Sequence, residues 1–414
     1  MSEIFKLWGM AAKTALGFFW KAGWAFVLGY FISSVIQAFV PKARLTPHMG
    51  GSGAGSVSLA TIFGAISSSC SFAALATARA LVLKGASFVA AVAFMFASTN
   101  LVIELGILIM IFLGWQFLAA EVVGGVVLII VSRFIIRLTQ PKGWFEAARE
   151  KVEQESPPEE DDFDWRKRLA SRQGWRMVGN TFGGEWAMVW EEILIGFTIA
   201  GLVAAVVPAQ VWNAVFLSDY VHGGQAGFLV VLENALLAPF VAAATFIGSM
   251  GNIPLATVLN ASGVMFAGIM GFIYSDLMVP PLVSVNAKYY GWRVALYIAA
   301  VMYVSIVITA MLLHYGFALL GITPHSAHRV EQVTQFAFDY TFWMNLGAVA
   351  LVGLTFWLKR RPREDKQHGS GHMEHMEHDH DDHGSGGIGI KRISAYAAAL
   401  FLAVGMAAFF FTHG

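Results

Sequence analysis

The chain has 414 residues, of which 57% are hydrophobic and only 13% are charged, and its formal net charge is zero. Soluble domains carry about 25% charged residues, so this composition excludes an ordinary soluble globular protein. A balanced charge gives no electrostatic reason to expect a nucleic-acid partner. The single cysteine, Cys70, excludes an internal disulfide and a site built from several thiolates of one chain.

Apolar segments along the chain predict an all-α, polytopic membrane protein of about ten transmembrane helices in two related halves with broken helices. A crossing helix needs about 20 apolar residues. No cleavage site of small residues follows a short apolar core near the N-terminus, so we expect an uncleaved first span. The candidate segments, in chain order, are 16–40, 57–83, 86–113, 115–138, 186–207, 227–261, 263–287, 293–320, 336–358 and 393–412.

Two polar stretches divide the chain into predicted regions. We expect a first membrane half at 1–138, a charged cytoplasmic linker at 139–183, a second membrane half at 184–320 and a C-terminal extension at 321–414. Basic residues near span ends prefer the cytoplasm, which places the N-terminus, the linker and the basic start of 359–392 inside. Four crossings before the linker agree with this. A strict count of five further crossings would place 359–392 outside. We therefore expect one of the later segments to be re-entrant, split or miscounted.

The two halves show weak similarity at an offset of 178 residues. This offset aligns Ser71 with Ser249 and Gly85 with Gly263, each within the same order of polar break, helix, glycine and helix. An internal repeat with a broken helix in each copy is how many transporters build a site near the bilayer midplane. The pattern therefore predicts a transporter with such a site.

Each half contains a polar interruption inside an apolar segment, at 67–71 and at 248–254. Glycine and proline loosen a helix, and freed backbone groups at membrane depth need protein or a water-filled cavity. We predict a substrate pathway between the halves; close helix packing by small residues is the alternative. Its candidate lining residues are Ser67, Ser68, Ser69, Cys70, Ser71, Asn100, Ser249, Met250, Asn252 and Pro254.

Carboxylates inside apolar segments are candidates for proton coupling, because a charge at the bilayer centre costs about 2.5–3.5 kcal/mol or more. Interfacial placement facing water is the alternative. Glu191 and Glu192 fall near the start of the predicted helix 186–207, and Glu121 lies about one turn into its own segment, which suggests an interface for all three. The proton-coupling candidates are Glu104, Asp276, Glu121 and Glu233.

A histidine-rich polar segment lies between the last two apolar segments. Imidazole suits Zn, Cu and Ni, but the surrounding glycines predict a flexible and weak collector. Adventitious binding is the alternative, and no other cofactor is expected. The candidate metal ligands are His372, His375, His378, His380 and His383.

The stretches 67–74, 84–104 and 114–121 in the first half, and 248–255, 273–280 and 288–292 in the second, carry a family resemblance. They resemble the bacterial predicted permeases of a domain-of-unknown-function family that includes the ArsP-type organoarsenical effluxers. The resemblance covers most of 15–320. It implies an inner-membrane permease, with related members linked to arsenical or divalent-metal export. Members often have a cysteine in the second signature, where this chain has Gly248, which argues against a two-thiol site.

We therefore expect a multi-pass permease of the bacterial inner membrane, not an enzyme, that exports a divalent metal or a trivalent arsenical by proton coupling. No Gly-x-x-x-x-Gly-Lys-Ser/Thr loop is present, so ATP hydrolysis would require a partner. The expected partners are the lipid bilayer and the metal or metalloid cargo, with a homo-oligomer left open. The alternatives are a permease for a small organic or sulfur-containing solute and a non-transporting membrane subunit.

Overall fold

The computed structural model describes residues 2–39, 49–51, 53–67, 71–83, 85–139, 169, 171–217, 227–245, 247–324, 330, 334–360 and 390–413. All of the secondary structure in these ranges is helical, which confirms the all-α fold class. The helices are α1 (Ser2–Phe39), α2 (Ala54–Ser67), α3 (Ser71–Leu83), α4 (Phe88–Asn100), α5 (Ile103–Phe112), α6 (Trp115–Thr139), α7 (Arg172–Val206), α8 (Ala209–Val215), α9 (Phe228–Thr245), α10 (Ser249–Ala261), α11 (Phe266–Ile273), α12 (Pro280–Tyr290), α13 (Trp292–Leu319), α14 (Tyr340–Arg360) and α15 (Ile390–His413).

Seven helices in the described part of the chain are long and apolar enough to cross a membrane, and two bent pairs raise the number to nine. The seven are α1, α6, α7, α9, α13, α14 and α15; the bent pairs are α4–α5 and α11–α12. The polytopic prediction is thus confirmed. The predicted segments 57–83 and 227–261 each divide into two helices, and α7 begins at Arg172, well inside the predicted linker.

The two bent pairs owe their shape to local sequence. The α4–α5 pair bends by 43° after Asn100, and the α11–α12 pair bends by 40° at a 3₁₀ turn, Tyr274–Met278. Pro280 and Pro281 occupy the first positions of α12. Proline is well suited there because its missing N–H would have no intrahelical acceptor, whereas it interrupts a helix that arrives from the N-terminal side. The bend therefore falls directly after the 3₁₀ turn.

Helices α2 and α3 form a hairpin that enters the bundle and returns to the same end. The segment before α2 and the segment after α3 are joined by two hydrogen bonds. The backbone N–H of Ser87 donates to the carbonyl of Met49 at 2.9 Å, and its hydroxyl donates to the carbonyl of Gly51 at 2.8 Å. We call α2–α3 the first hairpin, and its tip is the end at which α2 finishes with Ser67 and α3 begins with Ser71.

Helices α9 and α10 form the second hairpin in the same way. Asn234, in the first turns of α9, accepts a hydrogen bond at 3.4 Å from the backbone N–H of Met265, which follows α10. The Asn234 amide also donates to the carbonyl of Phe216 at 2.6 Å. The start of α9 and the residue that follows α10 therefore meet at the base of this hairpin. Helix α9 by itself is long enough to count as a span.

The hairpins enter from opposite ends of the bundle. The base of the first lies at the end of α12, where the Arg79 guanidinium stands 4.7 Å from the Tyr289 ring. The base of the second lies at the start of α6, where Phe117 contacts Phe266 edge to face at 5.3 Å. Helix α6 runs from one end to the other, because its last residue, Thr139, bonds the Tyr297 hydroxyl beside α12 at 2.9 Å. The tips consequently meet inside the bundle.

Long helices α1 and α7 pack antiparallel along one side of this core. A Cβ at Gly201 of α7 would lie 2.5 Å from the carbonyl oxygen of Ala11, so the two backbones approach closely. At the other end, Phe39 contacts Trp175 edge to face at 5.6 Å. The C-terminal α14 and α15 lie at the periphery, where most of their large apolar side chains are exposed.

Candidate functional site

The tips of the two hairpins meet at a buried carboxylate. The hydroxyl of Ser71, the first residue of α3, lies 3.0 Å from the hydroxyl of Ser249, the first residue of α10. Ser249 donates to Oδ2 of Asp276 at 2.5 Å and Ser71 donates to the same oxygen at 3.3 Å. Asp276 is fully buried. We call these three residues, together with Asn252 and Glu121, the polar centre.

The 3₁₀ turn fixes the position of Asp276. The hydroxyl of Ser275 donates to the Gly271 carbonyl at 2.5 Å, and the Tyr274 hydroxyl donates to the Ala120 carbonyl of α6 at 2.9 Å. Gly124 of α6 leaves room for this tyrosine, because a Cβ there would overlap its hydroxyl. The two residues that precede Asp276 are thus anchored, and Asp276 itself contacts the hairpin tips.

Glu121 brings a second carboxylate to the polar centre from α6. It is 1% exposed, and its backbone carbonyl accepts from the Tyr274 hydroxyl at 3.3 Å, two residues before Asp276. The sequence had suggested a position near an interface, but the side chain is buried. Neither carboxylate oxygen has a hydrogen-bond partner within the described part of the chain. Charge at such depth is costly, so Glu121 is suited to taking up a proton or a cation.

The start of α10 carries three further predicted pathway residues. Asn252 is fully buried, and neither atom of its amide is hydrogen-bonded to a described residue. It lies three positions after Ser249 and therefore on the same face of the helix. Pro254 is buried within the helix and cannot donate to the carbonyl of Met250, which is itself half-buried.

The first half contributes more weakly to the described site. Ser67 is buried at the end of α2. Asn100 is buried at the bend after α4, where its amide donates to the Phe96 carbonyl at 3.2 Å. Three predicted pathway residues, Ser68, Ser69 and Cys70, lie outside the described residues, so their part in the site stays a prediction.

Two of the predicted proton-coupling residues occupy other places. Glu104 is buried in α5 and packs against Gly29 of α1. Glu233 lies at the base of the second hairpin, where it accepts a hydrogen bond from Asn234 at 3.0 Å. Asp276 and Glu121 are the two candidates that the contacts bring together.

The predicted metal ligands His372, His375, His378, His380 and His383 lie outside the described residues. Within the described ranges, no group of three or more His, Cys, Asp or Glu side chains is arranged to hold a metal ion. The metal-collecting role of the histidine-rich segment therefore stays a prediction.

Glu192 is a residue near the site that sequence reasoning misplaced. It was expected near an interface, but α7 begins at Arg172, so Glu192 lies deep within the helix. A Cβ on Gly248, the residue before α10, would lie 2.6 Å from its Oε2. Helix α7 thus brings another carboxylate to the tip of the second hairpin. The sequence prediction started this helix too late, because the polar residues that follow Arg172 obscure its helical pattern of apolar residues.

The neighbouring Glu191 has a different environment. Its carboxylate accepts an ion-pair hydrogen bond from Arg392 of α15 at 3.4 Å, with the arginine side chain 59% exposed. It therefore lies at the side of the bundle, against α15, although its own side chain is only 13% exposed. Like Glu192 it lies deep within α7, so its expected position near an interface is not confirmed.

An all-helical bundle with two hairpins that meet at a buried polar centre defines a polytopic membrane protein with the architecture of a transporter. Residues 7–315 match the ArsP_1 family model, described as "Predicted permease". The chain belongs to this permease family, and a permease is a transporter rather than an enzyme. It is 36% identical over 301 residues to "Putative permease Rv2963" of Mycobacterium tuberculosis, covering 70% of this chain and 72% of that protein. No solved structure matches the chain.

Proposed function

We propose that this protein is a permease of the bacterial inner membrane that exports a metal or metalloid species, a divalent metal or a trivalent arsenical, in a proton-coupled cycle. The observation that carries the proposal is the contact of both hairpin tips with Asp276. A buried carboxylate shared by two hairpins would link proton binding to a change of access if the hairpins move relative to each other.

The proposed cycle rests on an inverted internal repeat. In its support, α3 and α10 each have 13 residues, and they begin at the paired serines. Gly85 and Gly263, which follow them, share the same backbone twist, with φ of 93° and 92°. The hairpins enter from opposite ends, as inverted repeats require. Alternating access would then consist of opening one hairpin at a time around Asp276.

Asp276 and Glu121 are the proposed proton carriers. Their charges interact across the polar centre, so a proton on one lowers the cost of charge on the other. Protonation of Asp276 removes the charge that holds the hydroxyls of Ser71 and Ser249. This would weaken the contact between the tips and permit one hairpin to move.

Cell accumulation tests the export function directly. Cells that lack their own exporters are loaded in turn with Zn, Cu, Ni, arsenite and a trivalent methylarsenical, with and without the protein. We expect lower retention of one species, abolished by Asp276→Asn and unchanged by Glu191→Gln, the peripheral control. Cys70→Ser in the same assay tests a thiol contact with the cargo. Unchanged retention of every species, with the protein present in the membrane, contradicts the proposal.

The histidine-rich segment provides a second comparison. If it collects metal for export, deletion of 368–383 should raise retention at low external metal and have less effect at high metal. Full transport without this segment at all concentrations would favour the organic-solute permease. Absence of any flux, together with stable co-purification of another membrane protein, would favour the non-transporting subunit.

A further inference from the structure

We propose that the polar centre binds its cargo as a small, hard cation through oxygen ligands from Asp276, Glu121 and Asn252. This inference rests on the proposed export function and narrows its cargo class. It is carried by two features of the site: the balance of its charges, and the kind of polar atom that is left without a partner.

The first feature is the charge at the hairpin tips. Helices α3 and α10 both begin at the centre, and each helix N-terminus acts as about half a positive charge. Taken alone, two such ends would favour an anion. Asp276 already supplies one negative charge and accepts hydrogen bonds from both Ser71 and Ser249. The two helix ends are therefore neutralised by a residue of the protein itself.

Glu121 makes the net charge of the polar centre negative. It adds a second buried carboxylate on α6, whose backbone carbonyl at this residue accepts from the Tyr274 hydroxyl at 3.3 Å, two residues before Asp276. When both carboxylates are ionised, the centre has a surplus of about one negative charge. An anionic cargo would be repelled by this surplus, whereas a proton or a cation would compensate it.

The second feature is an excess of unpartnered acceptors. Within the described part of the chain, Oδ1 of Asp276, both carboxylate oxygens of Glu121 and Oδ1 of Asn252 are buried without a hydrogen-bond donor. All three side chains are at most 1% exposed. Buried polar atoms in folded proteins are nearly always paired. With both carboxylates ionised, the Asn252 nitrogen is the one donor among the unpartnered atoms of these three side chains. The unpartnered oxygens are therefore suited to binding a cation.

Oxygen ligands of this kind select a hard cation. Carboxylate, amide and hydroxyl oxygens suit Mg²⁺, Ca²⁺ and Mn²⁺, whereas thiolate and thioether suit soft ions. An ion held by one or two carboxylates keeps several of its waters. This agrees with a site that lacks three acidic or histidine ligands among the described residues. A cargo that remains partly hydrated can also leave again when the opposite hairpin opens.

Binding of Mn²⁺ to the purified full-length protein, measured by electron paramagnetic resonance, tests the site. We expect one bound Mn²⁺ whose Kd rises by roughly tenfold or more in Glu121→Gln and in Asp276→Asn. Both substitutions conserve shape, and thermal unfolding in detergent verifies that each variant is folded. Glu191→Gln should bind as the wild type does. The histidine-rich segment is the same in every variant, so its own binding cancels in the comparison.

Two outcomes overturn the inference. One is Mn²⁺ affinity that is the same in the wild type, Glu121→Gln and Asp276→Asn. The other is thermal stabilisation by phosphate or arsenite, but not by Mn²⁺, that is lost in Asp276→Asn. The export proposal fails separately. With Mn²⁺ added to the loaded series, cells that retain every species, while the centre still binds Mn²⁺ through Glu121, would remove that function and leave the cation site standing.

Discussion

At the scale of single residues, Asp276 joins the two hairpin tips through hydrogen bonds. Its Oδ2 accepts from Ser249 at 2.5 Å and from Ser71 at 3.3 Å, and the two hydroxyls also lie within hydrogen-bonding distance of each other. Hydrogen bonds to a charged group contribute about 1.5–3 kcal/mol each. Because all three groups share one network, their contributions are not independent.

A double-mutant cycle on the two serines tests this coupling. We expect Ser249→Ala to lower the free energy of unfolding in mild detergent by about 1–3 kcal/mol, and Ser71→Ala to lower it by less, since its bond is longer. The double variant should fall short of the sum by at least about 0.5 kcal/mol. Ser262→Ala, which removes only a bond to a carbonyl of its own helix, is the control. Additive effects would mean that the serines act separately.

The ion pair between Lys21 and Asp339 supports a pH prediction. Their atoms lie 2.8 Å apart, and the hydrogen bond from Lys21 holds the pKa of Asp339 below its usual range. The carboxylate therefore stabilises the fold above its unfolded pKa of about 3.9, and this contribution is lost as the pH falls through the folded value.

We expect Asp339→Asn to lower the unfolding temperature at pH 7 by the equivalent of about 1 kcal/mol or less, since the pair is partly exposed. The difference from the wild type should shrink as the pH falls below about 4. Thermal unfolding in detergent across this pH range measures it. If the difference in unfolding temperature stays constant down to pH 3, the stabilisation does not come from the charge of Asp339.

At the scale of elements, the two hairpins depend on similar turns at their bases. In each, a glycine with positive φ follows the returning helix: Gly85 after α3 and Gly263 after α10. The Gly85 N–H donates to the Val82 carbonyl at 3.0 Å, and the Gly263 N–H donates to the Asn260 carbonyl at 3.1 Å. These turns send the chain from the hairpin into the bent pair beside it.

Replacing either glycine by alanine should destabilise the protein by roughly 1–2 kcal/mol, because other residues are strained in the left-handed region. The effect is conformational, since a Cβ on Gly85 would meet no atom within 4 Å, and one on Gly263 would make only ordinary contact. Gly184→Ala, at an open position within helix α7, should be neutral or stabilising by up to about 1 kcal/mol. Equal unfolding temperatures for all three variants would contradict this account.

At the scale of the whole molecule, the first hairpin changes the count of crossings. Because α2–α3 returns to its own end, the described helices up to residue 139 make three crossings: α1, the α4–α5 pair and α6. The prediction of four crossings was therefore wrong. The start of α1 lies at the opposite end of the bundle from Thr139, the last residue of α6, although basic residues alone had suggested that both face the same side.

The same geometry bears on the histidine-rich segment. Helix α14 runs in the direction of α1, since Thr334 lies against Gly17 and Asn345 bonds the Trp20 carbonyl at 2.8 Å. Its end therefore points toward the start of α7, where Trp175 meets Phe39. Both polar stretches would then share one side, which the rule for basic residues identifies as the cytoplasm.

Labelling of single cysteines tests this topology. In a Cys70→Ser background, we expect Ser156→Cys and Ser370→Cys to resist a membrane-impermeant maleimide in intact cells and to react after permeabilisation. Gln210→Cys, exposed on α8 at the opposite end, should react in intact cells. Opposite labelling of positions 156 and 370 would contradict the shared side.

The amino-acid sequence by itself determined the class of protein and the chemistry available to it. Apolar runs of membrane-spanning length predict an all-α membrane protein because the backbone must satisfy its own hydrogen bonds in lipid. Asp276 and Glu121 stand out in these apolar segments because a charged side chain is costly inside a membrane. The offset that pairs Ser71 with Ser249 also selected two residues whose side chains meet.

Tertiary structure alone decided how these parts combine. An apolar segment with a polar break fits a kinked span as well as a hairpin, because local hydrophobicity does not record the direction in which the chain leaves the break. Contacts between distant residues, such as Ser87 with Met49, settle that question. They also separate Asp276 and Glu121, which share one buried centre, from Glu104 and Glu233, since burial and proximity depend on packing between helices far apart in sequence.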